Sequence, residues 1–356
     1  MLQVQSVQDC IFTLNIPVKR YILQPSSGLL PAFLDELAEL LPNVCTLTFQ
    51  YRSDSNSASI IKSRLRQRHY HEDTVPEKKF SAKLSVQDGQ ILARAIIRLP
   101  SLTSLILRNA GVTDEILATM FNAFRERATR PSLVDLDLSY NKLTCKGMEH
   151  LVKDGIHIFN STLHSLDLSG NYIRSQGAQA LARMMKQNSS SMFLRELNLR
   201  INLFGDDGGA IFFRELAFCD SSEEVASNSL QDKGVNNEDL LTNLFLPLSL
   251  SHLDLSSNEI ASNTVIELVR CLSKGVLPNI RVLDLSCNQF CDADVTLLVK
   301  SIEEMCDALG HQSRKSELVS VELRGNNGIS SSSANALRKL DALLHRTVEV
   351  FREKIT

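Results

Sequence analysis

The stretch Leu163-His-Ser-Leu166-Asp-Leu168-Ser-Gly-Asn171-Tyr-Ile173 sets a pattern: leucine at places one, four and six, asparagine at nine, an aliphatic residue at eleven. Leu133-Val-Asp-Leu136-Asp-Leu138-Ser-Tyr-Asn141-Lys-Leu143 repeats it, and so does Leu194-Arg-Glu-Leu197-Asn-Leu199-Arg-Ile-Asn202-Leu-Phe204. Two more copies run from Leu250 to Ile260, around Leu253, Leu255 and Asn258, and from Ile280 to Phe290, around Leu283, Leu285 and Asn288. A weaker copy precedes them at Leu102, Leu105 and Leu107, with Ala110 in the asparagine place. Another closes the series at Leu318, Val321, Leu323 and Asn326.

The physics of a strand explains the pattern. Side chains alternate between faces, so the two leucines of each L-x-L point inward and the residue between them points out. Parallel stacking of such strands joins the inward leucines into one continuous core. The asparagine stands where the chain leaves the strand, and its amide can both donate to and accept from backbone groups that the ladder no longer pairs. The reading is an α/β leucine-rich repeat solenoid, a curved horseshoe with parallel strands on its concave face and return helices on its convex face.

Successive copies begin 31, 30, 31, 56, 30 and 38 residues apart. A period of about 30 leaves room for a return helix after each asparagine. Helical spacing of apolar residues, each run opening on a capping residue, predicts helices from Ser175, Ser262 and Asp292, and another over Ser85 to Leu99. The 56-residue step is an insertion and not a lost repeat, because no L-x-L strand occurs between Phe218 and Leu240. Long strand–helix units of this kind resemble the ribonuclease-inhibitor-like subclass.

Composition follows from this architecture. The chain has 356 residues, 55 of them leucine and none tryptophan. Its 38 Lys and Arg against 41 Asp and Glu leave a net charge of -3, which argues against bulk binding to nucleic acid. Met1 to Phe12 carries no basic residue ahead of an apolar stretch, so no secretory signal is read there. The most apolar run, Leu240 to Leu255, is broken by Thr242, Asn243, Pro247 and Asp254 among others, so no membrane span is expected. The eight cysteines contain no C-x-x-C, and no histidine neighbours the closest pair, Cys287 and Cys291; free thiols are expected.

Four regions follow: an N-terminal cap segment over 1–49, a flexible basic insertion over 50–84, the repeat domain over 85–346 and a tail over 347–356. The cap holds a helix from Gly28 to Leu41 and a strand from Val44 to Phe49. The insertion concentrates Lys62, Arg64, Arg66 and Arg68 at alternate positions, a surface for an acidic partner or simply a solvated loop. His69-x-His71 beside Glu72 and Asp73 reads as part of that polar loop. Within the repeat domain, residues 219–240 carry six carboxylates against one lysine and read as an acidic loop.

On the concave face the central outward residues run Ile106, Asp137, Asp167, Asn198, Asp254, Asp284 and Glu322. At a strand spacing of about 4.8 Å they form an acidic stripe. Two residues further on, the row Arg108, Ser139, Ser169, Arg200, Ser256, Ser286 and Arg324 compensates it in part. Such a face suits a basic helix or segment, with Asp137, Asp167, Asn198, Arg200, Asp254, Asp284, Glu322 and Arg324 as its contacts; soluble strand residues are the plainer alternative. Reversal of Asp137, Asp167, Asp254 and Asp284 to lysine is expected to spare folding and abolish partner retention. No phosphate loop, nucleophile elbow, zinc-protease or kinase motif is present, and no cofactor is expected. Gly205-Asp-Asp-Gly-Gly209 opens a return helix, where close packing explains Gly208 and Gly209 better than a phosphate cradle does.

Four stretches carry a closer resemblance. They are Leu37-Ala-Glu-Leu-Leu-Pro-Asn43 leading to Leu47-Thr-Phe49, Leu92 to Ile96 ahead of Leu102-Thr-Ser-Leu105, Leu197-Asn-Leu-Arg-Ile-Asn202 followed by Asp206-Asp-Gly-Gly209, and Val321-Glu-Leu-Arg324 with the helix through Leu337, Leu340, Leu344 and Arg346. In these the chain resembles the dynein regulatory complex subunit 5 family, also called t-complex-associated testis-expressed protein 1, over about residues 34 to 350. The resemblance implies a non-enzymatic subunit of the axonemal nexin–dynein regulatory complex in cilia or flagella, with other subunits of that complex as partners and tubulin or dynein nearby. No nucleic acid and no membrane are expected among the partners, given the near-neutral charge and the broken apolar run. The 52–83 and 219–240 insertions depart from that family. Two alternatives stand beside it: a generic cytosolic repeat adaptor or inhibitor, and a Ran-type GTPase-activating protein, a family that ends in an acidic tail where this chain ends Phe351-Arg-Glu-Lys-Ile-Thr356.

Overall fold

Strand and helix alternate along the chain as the period requires. The computed structural model describes residues 20–23, 46–49, 84–99, 101–125, 132–155, 162–187, 193–217, 248–311 and 317–353. Its strands are β1 (Arg20–Leu23), β2 (Thr46–Phe49), β3 (Ser104–Ile106), β4 (Asp135–Asp137), β5 (Ser165–Asp167), β6 (Glu196–Asn198), β7 (His252–Asp254), β8 (Val282–Asp284) and β9 (Ser320–Glu322). All nine pair in parallel in chain order in one sheet. The return helices are α1 (Val86–Ile97), α2 (Asp114–Arg125), α3 (Cys145–His150), α4 (Ser175–Gln187), α5 (Gly205–Ala217), α6 (Ser262–Ser273), α7 (Asp292–His311) and α8 (Ala334–Glu353).

Register brings Leu105, Leu136, Leu166, Leu197, Leu253 and Leu283 side by side, each at most 4% exposed. The second leucines, Leu107 through Leu285, form the layer behind them. Strand β6 pairs directly with β7, Leu197 against Leu253, so the 56-residue step inserts nothing into the sheet.

The ninth-place asparagines form a buried ladder. Asn171 Nδ2 donates to the carbonyls of Leu138 at 3.0 Å and Leu168 at 2.9 Å, and its Oδ1 accepts from the Leu143 N–H at 3.1 Å. Asn141, Asn202, Asn258, Asn288 and Asn326 do the same between their own repeats. Each satisfies backbone groups that a burial this complete would otherwise leave unpaired, at about 1–3 kcal/mol apiece. Where Ala110 replaces the asparagine, the Leu107 carbonyl keeps the usual bond from the asparagine of the next repeat, Asn141 at 2.9 Å, and lacks only the one from its own repeat.

The helices start at Ser175, Ser262 and Asp292, as the spacing predicts, but α6 is not capped by its own first residue. Ala261 stands at its N-cap with no side-chain bond. The cap comes from α5: Asp206 Oδ1 accepts from the N–H groups of Ala261 and Thr264, both at 2.9 Å, and Oδ2 from that of Asn263 at 3.1 Å. Helix α3 is capped by its own Thr144, whose hydroxyl oxygen accepts from the Lys146 N–H, and Asp114 holds Thr144 in place by accepting from its N–H and hydroxyl; Asp292 ties down the end of the solenoid through Ser330, Ser332 and Ser333. Burial pushes the Asp206 carboxyl up, but the donors from Thr264, Ala261 and Asn263 outweigh it and hold the group below 3.8. A lowered carboxylate contributes stability above its unfolded value and loses it as pH falls through the folded one. Asp206→Ala is expected to cost about 1–2 kcal/mol at pH 7 by urea unfolding, with the difference shrinking as pH falls below 3.8.

Gly208 and Gly209 pack as expected. A Cβ on Gly208 would lie 3.0 Å from Ser175 Cα of α4, and one on Gly209 would lie 2.8 Å from Ile260 Cγ2 and closer still to Thr264 Oγ1 of α6.

Two features differ from the sequence reading. Strand β1 extends the sheet one position before β2, from a segment with no L-x-L pattern. Helix α8 runs on to Glu353, through the boundary placed at 346. The 219–240 loop, the helix expected over 28–41 and most of the 50–84 insertion lie outside the described residues.

Candidate functional site

The concave stripe is a geometric row. Register aligns Ile106, Asp137, Asp167, Asn198, Asp254, Asp284 and Glu322 across seven neighbouring strands. Each aspartate divides its two oxygens between tasks. Oδ1 accepts the N–H two residues on, Ser139 from Asp137, Ser169 from Asp167 and Ser256 from Asp254, all at 2.8 Å, and Ser286 from Asp284 at 2.9 Å. Asn198 makes the same bond to the Arg200 N–H at 3.0 Å and donates to Asp167 Oδ2 at 3.2 Å. At Asp167 the second oxygen is thereby engaged as well.

This bond corrects the expectation about lysine reversal. Lysine offers no acceptor, so it would orphan the N–H at each strand exit as well as reverse charge. Asparagine keeps the acceptor and removes only the charge.

The second row also differs from its reading. Ser139, Ser169 and Ser256 are buried, at 0%, 3% and 1% exposure, so they do not dilute the acidic surface. Only Arg108, Arg200 and Arg324 of that row stand exposed. Arg108 lies over the Tyr140 ring, 4.5 Å from its centroid, and Arg324 Nε sits 3.4 Å from Glu322.

Two acidic residues of the same face were not singled out from the sequence. Asp135 and Glu196 lie on β4 and β6, either side of β5 and two places before the stripe, exposed on the concave side. The alternation that marks Asp137 as outward marks Asp135 as well, so the information was present.

Charge accumulates on this face. Burial raises the Asp167 carboxyl above 3.8, with Asp137 adding to the rise and the Ser169 bonds and Arg108 opposing it. Burial likewise raises Asp254, helped by Asp284 and opposed by Ser256 and Arg200. Asp135 is raised by burial and by Glu196. A raised carboxyl favours the folded state when protonated, and that contribution is lost as pH rises through the folded value. Asp254→Asn is therefore expected to lose no stability at pH 7 in urea unfolding, and any gain should vanish on acidification toward 3.8.

The possible basic contacts Lys62, Arg64, Arg66 and Arg68 lie outside the described residues. Among the described residues, no group of three or more His, Cys, Asp or Glu side chains is placed to hold a metal ion, and no helix is long and apolar enough to cross a membrane. Cys287 and Cys291 are free thiols.

Stacked strands, an asparagine ladder and return helices define a leucine-rich repeat solenoid, a fold that is typically a non-enzymatic scaffold for protein interaction. A family model described as Leucine Rich repeat matches residues 130–152, 159–182 and 276–299. Tonsoku-like protein of Danio rerio is 25% identical over 342 residues, 84% of this chain and 24% of that protein. Its Mus musculus counterpart is 29% identical over 286 residues, 68% of this chain and 20% of its own length. Leucine-rich repeat-containing protein 45 of Gallus gallus is 30% identical over 144 residues, 33% of this chain and 20% of that protein. The chain thus spans a quarter or less of the length of these relatives. Among solved structures, the TLR13–ssRNA13 complex is similar at a TM-score of 0.40 and 15% identity, over 86% of this chain and 33% of that one; a likeness of that size adds nothing to the description above. These relatives share the repeats, and their names do not speak of cilia.

Proposed function

We propose that this chain is a scaffold that holds a basic segment of a partner protein along its concave face. The observation that carries the reading is the aligned row of carboxylates, in which Asp167 and Asp254 are raised partly by their own neighbours. Lysine and arginine side chains laid along the row relieve that repulsion, so binding should strengthen as pH rises above 3.8 and weaken with salt.

The partners proposed are subunits of the axonemal nexin–dynein regulatory complex, with tubulin or dynein nearby and the cytoskeleton of a cilium or flagellum as the location. Support for that finer step is the resemblance in Leu197 to Asn202 with Asp206 to Gly209, and in the other three stretches. A second reading, a repeat module with partners elsewhere in the cell, is favoured by the likeness to the Tonsoku-like proteins across 84% of the chain.

One experiment separates them. The tagged protein is expressed in ciliated cells, which are extracted with detergent. Retention on axonemes in the native chain, lost when Asp137, Asp167, Asp254 and Asp284 are all changed to asparagine, is the expected result. A signal that washes out with the soluble fraction contradicts the axonemal reading. Equal retention of the amide variant contradicts the concave-face reading.

A further inference from the structure

The place after each ladder asparagine lies on the rim where the chain leaves the concave sheet. In four repeats it is polar, with Lys142, Glu259, Gln289 and Asn327. In the two successive repeats between Lys142 and Glu259 it holds Tyr172 and Leu203, 39% and 41% exposed. Their coils are bonded side by side, the Leu203 N–H donating to the Ile173 carbonyl at 2.9 Å. Single apolar side chains at a surface are ordinary, but two large ones in neighbouring coils, at a place that is otherwise polar, make a patch.

The place before the asparagine changes in the same coils. Its backbone is left-handed in all seven repeats, at Asn109, Tyr140, Gly170, Ile201, Ser257, Cys287 and Gly325. Tyr140 and Ile201 are the two large side chains of that row. Ile201 adopts φ +54°, a conformation that β-branched residues avoid, and its side chain is only half-buried, so burial alone does not account for it. The Tyr140 ring lies against Gly170, where a Cβ would come within 2.8 Å of Cδ1; it thus reaches over the middle coil toward the next left-handed position, Ile201. Arg108 stacks on the same ring and steadies it.

We propose that Tyr140, Tyr172, Ile201 and Leu203 form an apolar anchor site on the rim of the concave face, which takes a large apolar side chain carried by the partner's basic segment beside its lysines or arginines. The site rests on the reading of the acidic row as the binding surface. Charge identifies the occupant. Asp137 stands three residues before Tyr140 and Asp167 five before Tyr172, about 10 and 16 Å along the chain at most. A wholly apolar segment would strip water from these carboxylates without replacing it, whereas a segment with cations on one side of its apolar residue matches both surfaces. Arg108 and Arg200 stand between the row and the rim, so the partner's cations belong over the row and its apolar residue over the rim. Lysines alone could slide from one carboxylate to the next; the anchor fixes which of them meets which.

The test is anisotropy with a fluorescein-labelled peptide of lysine and alanine, and with a series in which one phenylalanine replaces each alanine in turn. At least one phenylalanine position should tighten binding to the native chain by about tenfold. Tyr172→Gln with Leu203→Gln, the residue that Gln289 places there in another repeat, should abolish that gain and leave the affinity of the parent peptide unchanged. Ile201→Asn, which suits the left-handed turn, should reduce the gain without lowering the urea midpoint. Unchanged circular dichroism confirms that the variants fold. A series without any gain, or a gain that survives in the glutamine variant, overturns the anchor even where the parent peptide binds. Equal affinity of the parent peptide for the native chain and for the variant with Asp137, Asp167, Asp254 and Asp284 changed to asparagine contradicts the row instead, and is read separately from the phenylalanine gain. Absence of binding by every peptide contradicts both. A native dimer in sedimentation that the glutamine pair dissociates would assign the patch to a second copy of this chain and overturn the proposal.

Discussion

Asn258→Ala should lower stability by about 3 kcal/mol, measured by urea unfolding at pH 7. Asn258 is fully buried at the junction of β6 and β7, the two strands separated by the long insertion. Its amide donates to the carbonyls of Leu199 at 2.9 Å, Leu255 at 3.1 Å and Ser256 at 3.2 Å, and its oxygen accepts from the Asn202 N–H at 3.2 Å. Alanine leaves that N–H without the oxygen and opens a void too small to be filled by rearrangement of so tight a ladder. The carbonyls fare better, because Leu199 also accepts from Asn202 Nδ2 and Leu255 from Asn288 Nδ2. Asn258→Asp keeps the acceptor but sets a carboxylate against carbonyl oxygens, so its penalty should be larger at pH 7 than in acid. Amide exchange at Asn202 should accelerate in the alanine variant, which removes the acceptor of its N–H. A loss below about 1 kcal/mol for the alanine variant would mean the ladder contributes little.

Gly209→Val is expected to cost about 3 kcal/mol or more, because two costs fall together. A side chain at Gly209 collides with Ile260 and with Thr264. Thr264 cannot step aside freely, since its hydroxyl donates to Asp206 Oδ1 at 2.9 Å and to the Asp206 carbonyl at 3.1 Å. Displacing it breaks the cap on α6 as well as the packing of α5 on α6. Gly205 provides the contrast. It has φ +63° with nothing within 4 Å of a Cβ, so Gly205→Ala should cost only the left-handed backbone strain of about 1–2 kcal/mol. Denaturation of the two variants side by side distinguishes a crowded glycine from a conformational one. Equal losses would contradict the packing described for α5.

The repeat was legible because one residue type recurs at places where burial demands it. Leucines at 166 and 168 point inward for the same reason as those at 253 and 255, so the register emerges from spacing alone. Asparagine was legible as well, since few side chains can donate and accept at one strand exit. Strand β1 was not, because Arg20 to Leu23 joins the sheet through its backbone against β2, and backbone pairing imposes no leucine template. The caps were missed because the donor groups lie one repeat away: Asp206 serves an N-cap at Ala261, across the insertion. A regularity was nevertheless present, since Asp114, Asp206 and Asp292 each stand four places after the ladder position of their repeat.

The concave face was legible in outline and misjudged in detail. Alternation identified Asp137 to Glu322 as an outward row, and the same rule applied one step earlier yields Asp135 and Glu196. It could not show that Ser139, Ser169 and Ser256 turn under the surface at the strand exit, nor that each aspartate gives one oxygen to its own backbone. Both depend on the left-handed turn that follows, at Tyr140, Gly170 and Ser257. The consequence for function is a face more acidic than its composition suggests, with charge that amide substitution removes without disturbing the fold.

Binding of a fluorescein-labelled lysine-rich peptide, followed by anisotropy in low salt, tests the concave face most directly. Three proteins are compared: the native chain, the chain with Asp137, Asp167, Asp254 and Asp284 changed to asparagine, and a chain with the exposed return-helix residues Glu149, Asp207, Glu304 and Asp307 changed to their amides. Both variants lose the same formal charge. Affinity should fall by about tenfold or more in the concave variant and by no more than about threefold in the convex one. Equal losses in the two variants would show that the peptide responds to net charge alone, and that the acidic row is not a binding surface.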